Sequence, residues 1–297
     1  MKKKTYTPII IVLLLFLSLF GIYFLLDYGI VGVEKSTDVT RIQEVKDPVK
    51  VHYLDIGQGD AIFIQINKLN VLIDAGEKEH AQTIIDYLKS YGVETLDYVF
   101  LTHPHEDHLG GMGEVISNFG LGEFYTPNKT LVTKSFKRLT DALEQKSKTM
   151  NFIKGGMSFD FGQGILMEIF SPNREDYLNP NNYSPIMKLS YGTTAFLFTG
   201  DAEELIEEEV MKLNVNLKAD VLKAPHHGSK TSSSPAFLEQ VSPDFVIVTS
   251  EKGNTHNLPS PEILNRYREL GSQVVLTEES GHVVFSSNGD EVTPLSN

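Results

Sequence analysis

The 297-residue chain contains no cysteine and no tryptophan. Without thiols there is no disulfide, no thiolate metal ligand and no cysteine nucleophile. Positive charge is also scarce. Lys and Arg total 26 against 39 Asp and Glu, a formal net of −13, which argues against a general grip on polyanions such as nucleic acid. One stretch departs from that balance. Lys129, Lys134, Lys137, Arg138, Lys146, Lys148 and Lys154 share their segment with two acidic residues, Asp141 and Glu144. It reads either as a solvated helix face or as the flank of a cleft that favours a phosphate-bearing substrate.

Long apolar runs are rare as well, with one at the N-terminus. Residues 8–26 (PIIIVLLLFLSLFGIYFLL) carry no charge, close to the ~20 residues that span a bilayer. Lysines precede the run and Asp27 is the first charge after it, the pattern of a cytoplasmic N-terminus and an exported remainder. Residues 1–32 therefore read as a membrane anchor, with a cleaved signal segment as the alternative; no A-x-A-like site follows Leu26. Residues 33–48 are polar and aperiodic, a linker. Residues 49–297 remain for one catalytic domain with ample material for a core.

From Val49 the chain alternates between strand and helix patterns. VHYLDIG, AIFIQI (with Ile62, Ile64 and Ile66 in alternation), NVLIDAG and LDYVFLT read as strands. HAQTIIDYLKSYG is helical, with Ala81, Ile84, Ile85 and Leu88 on one face and a glycine stop. ILMEIFSP, MKLSYG, TAFLFTGD, ADVLKAP, DFVIVTS, QVVLT and HVVFSS are further strands. Three helices, AEELIEEEVMKLN, PAFLEQV and SPEILNRYRELG, lie between them. The mixture predicts an α/β protein with mixed sheets, and the strand-rich opening and ending suggest two similar halves.

LTHPHEDHLGG (101–111) concentrates the chemistry. His103, His105, Asp107 and His108 put three of the nine histidines and a carboxylate on one turn at a strand's end, donors that suit zinc, manganese or iron. Residues 103 and 105 can converge on one ion while 107 and 108 aim at a second. Asp201, after a glycine at the end of TAFLFTG, is placed to bridge two cations. His226 and His227 in KAPHHGSK supply the next imidazoles. His52, His80 and His282 read as ordinary structural histidines.

LDIGQGDAIFI, LIDAG, LTHPHEDHLGG, NNYSPIMKLSYG, FLFTGDAE and ADVLKAPHHGSK occur in this order. Together they resemble the metallo-β-lactamase fold, in the branch found as the soluble hydrolase domain of the competence DNA-uptake (ComEC) proteins. The resemblance covers residues 49–286; the multi-span channel of that family has no counterpart here. It implies an αββα four-layer sandwich with two divalent ions, Zn²⁺ or Mn²⁺, at the edge of the sheets. By this likeness His103 and His105 hold metal one, Asp107 and His108 metal two, and Asp201 bridges. The HHG histidine completes metal two. Sequence does not decide which of the pair that is; His226 is preferred, with His227 facing substrate or supporting a ligand.

Two departures from the family pattern stand out. No histidine lies between His108 and His226, so metal one lacks its usual third imidazole, and Asn182 or Ser184 is expected near that gap. In GNTHNLPS, Leu258 stands where the branch often has histidine, so no role passes to His256. Asp55, Asp60 and Asp74 are read as turn residues or as supports behind the ligands. Lys223 and Ser229 are possible phosphate contacts.

The implied reaction is hydrolysis by metal-activated water, since a bound ion brings water's pKa from 15.7 towards about 7. Asp107 orients the nucleophile beside Asp201. Phosphodiesters are the favoured substrates: nucleic acid, a nucleotide, or a wall or lipid phosphodiester. Hydrolysis of an ester, thioester or lactam is the alternative within the same chemistry. A non-catalytic metal-binding surface protein of a competence or envelope assembly is the alternative outside it. The membrane is the expected partner of the N-terminal helix, and no protein partner is identifiable.

Overall fold

The computed structural model describes residues 49–295; the N-terminal apolar segment and the linker lie outside the described residues. Among those residues no helix is long and apolar enough to cross a membrane.

In chain order the first strands are Val49–Tyr53 (β1), Ile62–Ile66 (β2), Leu69–Ile73 (β3), Thr95–Phe100 (β4), Gly120–Thr126 (β5) and Met150–Phe152 (β6). Next come Ser158–Asp160 (β7), Ile165–Ile169 (β8), Met187–Tyr191 (β9), Thr194–Phe198 (β10), Val221–Lys223 (β11), Phe245–Val248 (β12) and Gln273–Leu276 (β13). Val283–Ser287 (β14) and Val292–Leu295 (β15) end the series. One sheet has the order β15-β14-β1-β2-β3-β4-β5-β6 and the other β13-β12-β11-β10-β9-β8-β7. Both are mixed. β1, β2 and β3 are antiparallel neighbours and β3 to β6 run parallel; β7 to β10 are antiparallel and β10 to β13 parallel.

The strand pattern explains how the layers stack. Alternate residues of a strand face opposite sides of the sheet. Ile62, Ile64 and Ile66 therefore join Val51, Tyr53, Leu189, Phe196 and Phe198 in the core between the two sheets. Phe63 turns the other way, into the core beneath the helices Ala81–Ser90, Met112–Ser117 and Lys134–Gln145. On the far side, Leu197, Leu222 and Val246 pack with Ile206, Phe237 and Ile263 of three more helices. The result is helix, sheet, sheet, helix, the expected four-layer α/β sandwich. Because both faces of each sheet are covered, central strands such as TAFLF are buried at every position.

The two sheets repeat one pattern, antiparallel strands followed by parallel ones, but the closing strands do not stay with the second sheet. β14 pairs with β1, so the end of the domain returns to the first sheet. The sequence pattern does not predict β5, β6, β7 or β15: GLGEFYT opens on glycines that read as turn residues, and β6, β7 and β15 are short and partly or fully exposed, with no apolar run to mark them. The basic segment contributes the helix Lys134–Gln145, started by Thr133, whose hydroxyl accepts the Phe136 N–H at 3.1 Å. Phe136, Leu139 and Leu143 face the core, while Lys137 is exposed and pairs with Asp141. Lys134, Lys137 and Arg138 lie on this helix, with Lys134 and Lys137 exposed, so part of that charge is a solvated helix face.

His52 on β1 is wholly buried, with Nδ1 2.8 Å from the Tyr87 hydroxyl and Nε2 3.2 Å from Gln65 Oε1. Burial pushes its imidazole down to about 4. Between pH about 6.5 and that value, the unfolded chain binds a proton that the folded chain does not, so stability falls as pH drops through this window. The contribution is of order 3 kcal/mol. Replacing His52 with Gln is expected to flatten the pH dependence of urea unfolding between pH 7 and 4; an unchanged slope would refute this.

Candidate metal centre

The site is built at the carboxyl ends of parallel strands, where chain reversals project side chains beyond the sheet edge. Asp74 follows β3, His103 follows β4, Asp201 follows β10, the two adjacent histidines follow β11 and Thr249 follows β12. After β4 the chain runs through His103, Pro104 and His105 into a single helical turn, Glu106–Leu109. Neighbouring loops clamp that turn. Asp60 N–H donates to Asp107 O at 3.1 Å and Ala75 N–H to His108 O at 2.9 Å. Gly59, with φ +129°, lies so close that a Cβ there would sit 2.2 Å from Asp107 O. The second glycine of LDIGQGD thus lets one loop lie against the backbone of another.

Two groups of ligand atoms result. Asp107, His108, Asp201 and His227 bring one donor atom each within 4.8 Å of one another, and His103, His105 and Asp201 do the same. In the first group His108 Nε2 is 3.3 Å and His227 Nε2 3.4 Å from Asp201 Oδ1. The two Nε2 atoms are 3.3 Å apart, and Asp107 Oδ2 is 3.5 Å from His227 Nε2. A tetrahedral ion with bonds of about 2.0–2.1 Å holds its ligands about 3.3–3.4 Å apart. The donor atoms are thus spaced as if around a common centre. Asp201 Oδ1 is buried with no hydrogen-bond partner, which is costly unless a cation supplies one.

The supporting hydrogen bonds fix which nitrogen faces the centre. His108 Nδ1 donates to Asp74 Oδ2 at 2.7 Å. His227 Nδ1 lies 3.0 Å from Thr249 O, and His103 Nδ1 lies 3.1 Å from the Thr102 hydroxyl and 3.3 Å from that of Ser184. A proton held at Nδ1 leaves the Nε2 lone pair for the metal. Behind this layer, Thr102 donates to both oxygens of Asp74 at 2.7 Å. Thr249 donates its hydroxyl to Asp60 Oδ1 at 2.6 Å, and Lys223 Nζ is 3.0 Å from Asp60 Oδ2.

Charge is strongly concentrated. Burial alone would depress the His108 imidazole, but Asp201, Asp107 and Asp74 outweigh it and hold the ring well above its ordinary value. Burial would raise the Asp201 carboxyl; His108 and His227 instead pull it well below. Burial and the neighbouring His108 hold His103 well below its usual value, as a neutral ligand.

Several placements differ from the sequence reading. His227, rather than His226, joins Asp107 and His108. Both residues have left-handed backbone, φ +48° and +52°, a geometry that the sequence does not announce and that decides where each ring points. Asp74, read without a settled role, is the carboxylate that orients His108. Lys223 is fully buried against Asp60, so it faces away from any phosphate and stiffens the support of His227. Asn182 turns to Glu203, its Nδ2 3.2 Å from Oε2, and Ser184 backs His103. The residue at the gap is the neighbouring Asn181, whose Nδ2 is 3.4 Å from His226 and whose Oδ1 is buried without a partner. Ser229 bonds Thr231 at 3.1 Å. A cleft of about 360 Å³ opens over the centre, lined by His105, Asp107, Asn181, Asp201, His226 and His227, with His256 and Leu258 also contributing to its wall.

The Metallo-beta-lactamase superfamily model matches residues 54–248, which hold every candidate metal ligand of this centre. The chain belongs to that superfamily. This metallo-β-lactamase-fold domain is 28% identical over 254 residues to ComE operon protein 3 of Bacillus subtilis, covering 80% of this chain and 33% of that protein. It is 31% identical to Recombination protein 2 of Haemophilus influenzae (79% and 28% covered) and 29% to Competence protein ComA of Neisseria gonorrhoeae (78% and 31%). The chain thus spans a third or less of these curated relatives. Among solved structures, YhfI of B. subtilis superposes with a TM-score of 0.56 at 13% identity, covering 81% of this chain and all of that one. Tm1679, described as a metal-dependent hydrolase of the superfamily, superposes at 0.52 and 11% identity, with 84% and 100% covered. These likenesses support the fold, and the fold implies divalent-metal binding at the centre just described.

Two tests follow from the supports. Asp74→Asn keeps the shape but removes the charge behind His108, and is expected to weaken metal affinity about 10- to 100-fold in chelator competition; parent affinity would refute this role. Lys223→Ala strands Asp60 in the interior and is expected to cost about 3–5 kcal/mol in denaturant unfolding. A loss below 1 kcal/mol would show that Asp60 does not need its partner.

Proposed function

We propose that the chain is a dinuclear metal-dependent phosphodiesterase, held at the membrane by its N-terminal apolar segment with the catalytic domain outside. The observation that carries the reading is the shared Asp201 carboxylate, with one group of donors gathered at each of its oxygens beneath an open cleft. Zn²⁺ or Mn²⁺ suits this set of imidazole and carboxylate donors. When bound, such ions supply an activated water and polarise the group under attack.

The chain's own residues do the positioning. The Asp107 side chain is 24% exposed beside His227 and lies on the cleft wall, placed to accept a hydrogen bond from an attacking water. Asp201 lies deeper, at 2%, as a fixed counter-charge. Asp74, Thr102, Ser184 and Thr249 keep the imidazoles aimed, so little reorganisation accompanies reaction. Phosphodiesters are favoured over carboxylic esters for two reasons. The curated relatives carry competence and recombination names, and residues 129–154 form a basic stretch in an otherwise acidic chain.

The test compares turnover of bis(p-nitrophenyl) phosphate and p-nitrophenyl acetate with added Mn²⁺ or Zn²⁺. Metal-dependent hydrolysis of the phosphodiester is expected, with His227→Ala and Asp201→Ala lowering kcat by about 100-fold or more. Preferential turnover of the acetate would move the substrate to esters. Binding of metal without turnover of either would leave a non-catalytic protein.

A further inference from the structure

The absent third imidazole of metal one has a replacement close at hand. Asp201 divides its two oxygens between the two groups of donors. Oδ1 faces His108 Nε2 and His227 Nε2 at 3.3 and 3.4 Å. Oδ2 faces His103 Nε2 at 3.7 Å and, on the same side, His226 Nε2 at 3.6 Å. We propose that His226 is the third imidazole of metal one, completing a set of His103, His105, His226 and Asp201 Oδ2. This deepens the two-metal reading and rests on it.

Three features support the assignment. Consecutive left-handed residues separate the two rings, with centroids 6.4 Å apart and planes at 70°, so that neighbours in sequence address opposite oxygens of one carboxylate. His226 Nδ1 is 3.2 Å from the Thr231 hydroxyl, the same arrangement that keeps the proton on Nδ1 in His103, His108 and His227. Finally, Asn181 lies between the parts of this site. Its Nδ2 is 3.4 Å from the His226 ring, and its partnerless Oδ1 is 95% buried at residue level. A buried amide beside the His226 ring is a group that a nearby cation would satisfy. His226 stands slightly outside the group formed by His103, His105 and Asp201. Its side chain is 22% exposed and lines the cleft wall.

The test measures metal binding without substrate. Full-length protein, stripped of metal, is titrated with Zn²⁺ against a chromophoric chelator, for the parent, His226→Ala, His103→Ala, their double variant and His227→Ala. His226→Gly is the second variant, because glycine suits the left-handed backbone and preserves the fold. Two equivalents are expected for the parent. His226→Ala and His103→Ala should each weaken one of them by about 100-fold or more, beyond the 10- to 100-fold typical of a supporting residue. The double variant should be scarcely worse than either, since both act on one site, while His227→Ala should weaken the other equivalent. Three results would overturn the assignment: parent affinity in both His226 variants, loss of the same equivalent as His227→Ala, or a parent that takes up a single ion. Two equivalents without phosphodiester turnover would leave His226 in place and sink the substrate reading instead.

Discussion

The centre depends on one buried carboxylate. Asp201 is almost wholly enclosed, yet it carries charge that burial would ordinarily remove. It remains ionised because imidazoles surround it, and those imidazoles are held by Asp74, Thr102, Ser184 and Thr249. Asp74, Thr102 and Thr249 follow β3, β4 and β12, and Ser184 closes the turn before β9. The parallel strands must therefore be in register before the charges can compensate one another. Sheet packing and metal affinity are in this sense a single property of the molecule, since a shift of one strand would move a ligand and strand a charge together.

The parts of this arrangement that lie within one short segment could be read from the sequence. His103, His105, Asp107 and His108 need only the local turn to come together, and their spacing announces it. The alternation of Ile62, Ile64 and Ile66 likewise announces a strand buried between layers. What escaped depends on distant partners. Asp74 and His108 meet because β3 and β4 are parallel neighbours, and Lys223 meets Asp60 across the gap between the two sheets. A lysine near a histidine pair suggests a phosphate contact until its burial is known.

Two further differences come from backbone geometry at single residues. The choice between His226 and His227 turns on the sign of φ, which residue type does not announce for histidine. The choice between Asn181 and Asn182 turns on their order in a short turn, where neighbouring amides face in different directions. One is committed to Glu203 and the other is left to the cleft. Both cases concern residues whose chemistry was evident and whose direction was not.

The pairing of β1 with β14 has a consequence for how the domain comes into being. The first strand waits for nearly the last one, so its outer edge stays open until more than two hundred residues have followed it. Contacts of such long sequence separation make for slow folding. All the donors of the metal centre emerge before β14 does. A chain arriving in sequence therefore carries its complete set of ligands while the first sheet still has a bare edge. That interval is when Val49, Val51 and Tyr53 present an unpaired apolar strand to any neighbour, a recognised route to edge-to-edge association.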